Sequence, residues 1–124
     1  MTALLVLLNN FMHDFSAAGW LFGTVILWVV VKNQKKGDRP HPTVVAVTTV
    51  TRRLMLYCLG GIVGFGVIRL LAYKQYEWSA AAGDAQVTLL IVKHILLTAI
   101  FFWGVVFFRK SRHIVLEGDR HHER

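Results

Sequence analysis

Apolar residues along the 124-residue chain fall into three long blocks that are separated by polar connections. The blocks run from Phe15 to Val31, from Leu54 to Tyr73 and from Val87 to Phe108. A helix that crosses a membrane needs about 20 mainly apolar residues, and the apolar stretch before His13 supplies the missing length of the first block. The pattern therefore predicts three membrane-spanning helices, over residues 6–31, 54–73 and 87–108.

The connections between the blocks differ in character. The first, residues 32–53, opens as a polar turn with Pro40 and Pro42. It closes with a segment rich in Val and Thr, residues 43–51, which either forms a short interfacial helix or extends the second span. Residues 74–86 make a short second connection, and residues 109–124 form a polar tail.

Positive charge is divided unevenly among these connections. The second connection carries Lys74 beside Glu77 and Asp84, whereas the first connection and the tail are strongly basic. Cytoplasmic flanks of membrane helices carry an excess of Lys and Arg, and three spans place the first connection and the tail on one side. The N-terminus and the 74–86 loop are therefore predicted outside, and the C-terminus inside. The basic residues are Lys32, Lys35, Lys36, Arg39, Arg52 and Arg53 in the first connection, and Arg109, Lys110, Arg112, Arg120 and Arg124 in the tail.

Composition supports an all-α integral membrane protein. Hydrophobic residues make up 55% of the chain and charged residues 17%, against about a quarter charged in soluble domains. The length allows one membrane domain, residues 1–124. The net charge of +7 follows from the basic inner flanks, and the aromatic residues lie in or beside the spans, which excludes a nucleic-acid interface. No positive segment precedes the first apolar run, which excludes a signal peptide, and the single cysteine, Cys58, forms no internal disulfide.

Five ionisable residues lie within or beside the outer halves of the predicted spans. Such residues are costly in a membrane and usually functional. At about 1.5 Å of rise per residue, His13 and His94 lie at depths that differ by roughly 6 Å. Arg69 precedes the outer end of the second span, and Asp14 and Lys93 adjoin the two histidines. Two histidines from different helices and an arginine thus converge on one layer of the outer leaflet.

This arrangement suits haem b. Neutral imidazoles from two helices can ligate the iron axially, and an arginine can pair with a propionate. His13 and His94 are the predicted ligands, Arg69 the propionate partner, and Lys93 a partner for the other propionate or for a quinone carbonyl. Asp14 or a backbone carbonyl would orient one imidazole.

Other interpretations stay open. His13 would also suit a hydrated interface, His94 a hydrogen bond between helices, and Lys93 a side chain that reaches outward to water. Copper is the alternative metal because imidazole binds it, although Met55 and Cys58 lie toward the opposite end of the second span. The second span also carries a run of glycines that allows close approach by a macrocycle or by another helix: Gly60, Gly61, Gly64 and Gly66.

Three stretches carry a resemblance to the copper-resistance-D-like membrane domain: MHDFSAAGWLFGTVIL, TRRLMLYCLGGIVGFGVIRL and IVKHILLTAIFFWGVVFFRK. They are similar to its first, second and third spans and together cover residues 12–110. That broad group includes the small-membrane type of protoporphyrinogen oxidase, a haem-b protein with four spans where this chain has three. The resemblance implies a helical bundle with a histidine site for haem or copper, at His13 and at Lys93 and His94.

These observations lead to three hypotheses of function. The first is a small cytochrome b-like protein of the bacterial inner membrane that transfers electrons, with quinone as a candidate partner, and that works as a redox subunit rather than as an autonomous enzyme. Three spans enclose a haem thinly, so a second copy or a larger membrane complex is expected. The second hypothesis is a cofactor-free accessory subunit of a respiratory or photosynthetic complex. The third is copper handling; porphyrinogen oxidation enters only through the resemblance.

Overall fold

The computed structural model of the chain describes residues 2–35, 38–76 and 84–119. Across these residues the chain forms four helices and no strand. They are α1 (Thr2–Asn33), α2 (Pro42–Tyr76), α3 (Asp84–Lys110) and the short α4 (Arg112–Asp119).

The three long helices are apolar and long enough to cross a membrane, with candidate spans at Leu4–Asn33, Pro42–Arg69 and Ile91–Gly118. This confirms the all-α class and the number of spans. Each helix continues beyond its predicted apolar core: the 32 residues of α1 rise about 48 Å, whereas the hydrocarbon layer is about 30 Å thick. The backbone hydrogen bonds of a helix continue through polar flanks, which apolar length alone does not reveal.

The Val/Thr-rich residues 43–51 are part of α2, so they extend the second helix rather than forming a separate one. The backbone N–H of Thr43 donates to Nδ1 of His41 at 3.3 Å. Such a bond satisfies one of the N–H groups that a helix start leaves without a partner. Pro42 occupies the first helical position, where its missing N–H costs nothing. The polar turn with two prolines thus ends in a capped helix start.

The tail contains more structure than its polar composition predicts. Residues 112–119 form α4, which packs against the first part of α2. Ile114 is fully buried there, and Gly118 lies directly against Val45. Residues 120–124, and residues 77–83 of the predicted outer loop, lie outside the described residues.

Helix α1 is the centre of the bundle because it packs against both α2 and α3. In the described part of the chain, α2 and α3 make at most slight contact with each other. Small residues bring α1 and α2 close together: Gly19 faces Cys58, Gly23 faces Met55, and Gly61 faces Ser16. These pairs run in opposite directions along the two helices, so α1 and α2 are antiparallel.

The buried core is small. Trp20, Leu27 and Met55 form its centre, while many large apolar side chains point away from the bundle. Tyr57 and Leu71 are 78% and 75% exposed. A soluble protein of this size seldom leaves so much apolar surface uncovered, and a lipid bilayer provides the matching surroundings. The fold is that of a multi-pass membrane protein.

Candidate functional site

A cavity of about 550 Å³ lies between α1, α2 and α3. This volume falls in the range of small-molecule and cofactor sites. The cavity lies where α2 and α3 separate on either side of α1. All four residues that the sequence predicts for the site line it: His13 from α1, Arg69 from α2, and Lys93 and His94 from α3.

His13 lies against the backbone of α2. Its Cε1 and Nδ1 atoms are beside Gly66, where an added Cβ would meet them at 3.4 and 3.7 Å. Nδ1 is buried and has no hydrogen-bond partner. Because Nδ1 is the enclosed ring nitrogen, Nε2 is the one that can face the cavity.

Lys93 and Asp14 form an ion pair across the cavity, with Nζ 3.2 Å from Oδ1. The sequence suggested Asp14 as the group that orients an imidazole, and Lys93 as a propionate or quinone partner. In the structure the two side chains are paired with each other, which joins α1 to α3. Both remain about half exposed, at 52% for Asp14 and 48% for Lys93.

Aromatic rings form part of the cavity wall. Trp20 of α1 stacks on Phe101 of α3, with the ring centroids 5.2 Å apart and the planes 22° from parallel. Gly104 leaves the space for the Trp20 indole, since a Cβ there would overlap its Nε1 atom. Trp20 Nε1 is buried without a hydrogen-bond partner. Trp20 thus packs between the helices and also lines the cavity.

The glycine run on α2 divides into two kinds of position. Gly61 packs against Ser16, and Gly66 lies beside His13. Gly60 and Gly64 have nothing within 4 Å of the place where a Cβ would stand. The run therefore serves both helix packing and the cavity, and it leaves two glycines on an outward face.

The residues of the cavity fit haem b in three respects. Imidazoles from two helices line it, its wall is largely apolar, and Arg69 supplies a cation for a propionate. Nδ1 of His13 is buried and accepts or donates no hydrogen bond among the described residues, which is compatible with ligation through Nε2. Copper also accepts imidazole ligands; among the residues that the structure describes, no group of three or more His, Cys, Asp and Glu side chains could hold a metal ion. Met55 and Cys58 pack between α1 and α2 instead.

One polar residue near this site was missed by sequence reasoning. Asn9 lies one turn before His13, and its Nδ2 donates to the Phe65 carbonyl oxygen at 3.2 Å. Its Oδ1 is buried and unpaired. The spacing of four residues from His13 was the available signal, because it places both side chains on one face of a helix.

No family model matches the chain, and searches of curated proteins and of solved structures find no match either. The resemblance to the copper-resistance-D-like membrane domain therefore remains a resemblance of three stretches of sequence.

Proposed function

We propose that the chain is a small membrane cytochrome of the b type that holds haem in the cavity between its three long helices. One observation carries the proposal: His13 and His94, which come from different helices, line the same largely apolar cavity together with Arg69. Protein haems of this kind are held by axial side-chain ligands in surroundings of low polarity.

The residues have separate roles in this proposal. His13 and His94 would ligate the iron, and Arg69 would pair with a propionate. Bound haem supplies one-electron transfer. The Asp14–Lys93 pair would keep the charge of the cavity balanced in an apolar setting, where an unpaired charge is costly. Trp20 and Phe101 would exclude water by packing along the wall.

The proposed setting is a bacterial inner membrane, with the N-terminus outside and the C-terminus inside. The basic residues near the inner ends of the helices support this orientation, as does their scarcity around residues 74–86. The cavity residues His13 and Lys93 lie toward the opposite, outer ends. Electrons would be exchanged near the outer face, with quinone or a larger membrane complex as the partner.

An absorption spectrum of the detergent-purified chain, oxidised and then reduced with dithionite, tests the proposal. Sharp reduced α and Soret bands are expected for a low-spin haem b. His13→Ala and His94→Ala are expected to lose them, whereas His113→Ala, which changes an exposed histidine of α4, should keep them. Full haem in both cavity variants would refute the assignment of ligands. Copper near one atom per chain that depends on His13, without haem, would establish copper handling in its place.

A cofactor-free accessory subunit is the second candidate, and the outward face of α2 favours it. Gly60 and Gly64 are four residues apart on that face, and a Cβ added at either one would meet no atom of a neighbouring described helix within 4 Å. Small residues at this spacing let two membrane helices approach closely. A colourless protein that copurifies in fixed ratio with partner subunits, and that loses them on Gly60→Leu and Gly64→Leu substitution, would establish this role.

A further inference from the structure

Two buried polar atoms one turn apart on α1 have no hydrogen-bond partner among the described residues: Oδ1 of Asn9 and Nδ1 of His13. Both side chains face the same part of α2. Asn9 Nδ2 donates to the Phe65 carbonyl oxygen at 3.2 Å, and the His13 ring lies beside Gly66. A buried polar group without a partner destabilises a fold, because it has given up its hydrogen bonds to water without replacing them. Two such atoms at one place call for a shared explanation.

The two atoms can form a hydrogen bond with each other in only one arrangement of donor and acceptor. The bond to Phe65 fixes the Asn9 amide, because its NH₂ group must face that carbonyl oxygen. Asn9 therefore presents Oδ1, an acceptor, at the remaining position. His13 Nδ1 is a donor in one neutral tautomer and an acceptor in the other. Only the tautomer with a proton on Nδ1 provides the hydrogen that Oδ1 lacks.

We propose that Asn9 is a positioning residue for His13: its Oδ1 accepts the hydrogen of Nδ1, and this holds the neutral imidazole with the lone pair of Nε2 toward the cavity. The two side chains are four residues apart on α1, which places them on one helix face, and no hydrogen bond joins the two atoms in the described structure. A small rotation of the ring or one bridging water completes the contact. Buried waters typically join polar groups that otherwise lack partners.

This inference deepens the proposed function, and only its consequence for metal binding rests on that function. A histidine that binds a metal commonly donates its other ring N–H to a fixed acceptor, which sets the tautomer and the ring orientation. The sequence suggested the neighbouring Asp14 for this task. Asp14 is engaged by Lys93, whereas Asn9 is held against α2 at the correct spacing.

Nitrogen NMR of the full-length chain tests the tautomer directly. The chain carries ¹⁵N-histidine, is prepared from haem-limited cells, and is measured in lipid nanodiscs at a pH about two units above the ordinary histidine pKa. Wild-type His13 is expected to be mainly in the Nδ1–H form. Asn9→Leu is expected to lower the ratio of Nδ1–H to Nε2–H several-fold, because the acceptor is gone. Asn9→Gln keeps an amide donor for the Phe65 carbonyl and an acceptor oxygen, so its ratio should lie nearer the wild-type value than that of Asn9→Leu.

Asn10→Leu is the matched control, since it removes the same side chain one position away and should leave the ratio unchanged. An unchanged circular dichroism spectrum and an unchanged midpoint of thermal unfolding verify that each variant is folded. Wild-type His13 in the Nε2–H form, or an unchanged ratio in folded Asn9→Leu, would overturn the inference. The ratio is measured without haem, so the two proposals fail separately. If the protein binds haem but His13 carries its proton on Nε2, only the role of Asn9 is refuted. If the protein is colourless but His13 carries its proton on Nδ1, only the assignment as a cytochrome is refuted.

Discussion

Lys93 Nζ lies 3.2 Å from Asp14 Oδ1, and this ion pair joins α1 to α3 at the cavity. An ion pair that is half exposed to water contributes about 0–1 kcal/mol. In a bilayer the alternative to pairing is an isolated charge at the edge of the hydrocarbon, which is far less favourable. The pair should therefore stabilise the α1–α3 contact more than its exposure to water implies.

Reversal of one charge is expected to destabilise the bundle, and reversal of both to restore it. Asp14→Lys places two ammonium groups at one site, and Lys93→Asp places two carboxylates there. In the double variant an opposite pair forms again. A double-mutant cycle on thermal unfolding in detergent should give a coupling energy within about 0.5–3 kcal/mol, the range for residues in contact. Additive effects of the two substitutions would show that the pair is not formed in the folded protein.

One arginine makes several contacts at the end of the bundle that carries α4. Arg52 of α2 donates from Nη1 to the Phe108 carbonyl oxygen and, at 2.9 Å, to the Ser111 hydroxyl. Its guanidinium lies 4.1 Å from the centre of the Phe108 ring. Ser111 is fully buried between α3 and α4. Arg52 thus supplies a hydrogen-bond donor for a carbonyl oxygen near the end of α3 and fixes the direction in which α4 continues from it.

Arg52→Ala is expected to release α4 from α2. Hydrogen bonds that involve a charged group contribute about 1.5–3 kcal/mol, and the substitution removes two. Backbone amides of residues 112–118 should exchange with deuterium much faster, while those in the middle of α1 stay protected. Arg52→Lys should give an intermediate rate, because an ammonium lacks the planar fork that stacks on a ring.

Arg53→Ala is the control for this prediction. Arg53 is adjacent and exposed, so its removal should leave exchange in α4 unchanged. Equal acceleration by Arg52→Ala and Arg53→Ala would mean that general positive charge, rather than the bonds to Phe108 and Ser111, holds α4 in place.

Gly104 and Gly64 both lie in apolar stretches of the sequence. Addition of a methyl group should lower the stability of the protein at Gly104 but not at Gly64. Gly104→Ala drives a Cβ into Trp20 Nε1 and Thr24 Oγ1, both on buried residues. Overpacking of this kind costs about 1–3 kcal/mol, and displacement of the Trp20 ring should shift tryptophan fluorescence. Gly64→Ala meets nothing within 4 Å. It should leave stability unchanged or raise it by up to about 1 kcal/mol, the difference in helix propensity.

The two substitutions are compared by thermal unfolding in the same detergent. A Gly104→Ala protein as stable as wild type, with unchanged fluorescence, would contradict the close approach of α1 and α3 at Trp20. A strongly destabilised Gly64→Ala protein would reveal that the outward face of α2 is packed in the purified state, which points to a second copy or a partner helix.

The three spans could be predicted because the length of an apolar stretch is read directly from the sequence. The same count of residues predicted that His13 and His94 lie at similar depths, and both residues line the cavity. Which side of each helix faces its neighbours could not be predicted, since the spans are apolar on nearly all sides and carry little periodic signal. The contacts of Asn9 with Phe65 and of Arg52 with Ser111 depend on how each helix is rotated about its own axis. The helix α4 was missed because its one fully buried residue, Ile114, stands among polar neighbours.

Orientation in the membrane is the prediction that places the cavity on one side of the cell. The single native cysteine makes cysteine labelling simple: Cys58→Ser provides the background, and Thr2→Cys and Asp38→Cys report the two ends of α1. A membrane-impermeant maleimide should label Thr2→Cys in intact cells. It should label Asp38→Cys only after the cells are opened.

The expected result follows from the basic residues that flank the loop at Asp38, because Lys and Arg beside a span are retained on the cytoplasmic side. Thr88→Cys gives an independent check, since it lies near the start of α3 and should share the behaviour of Thr2→Cys. If Asp38→Cys alone is labelled in intact cells, the protein has the opposite orientation to the predicted one. The histidine cavity would then open toward the cytoplasm, and a partner for electron exchange would have to be sought on that side.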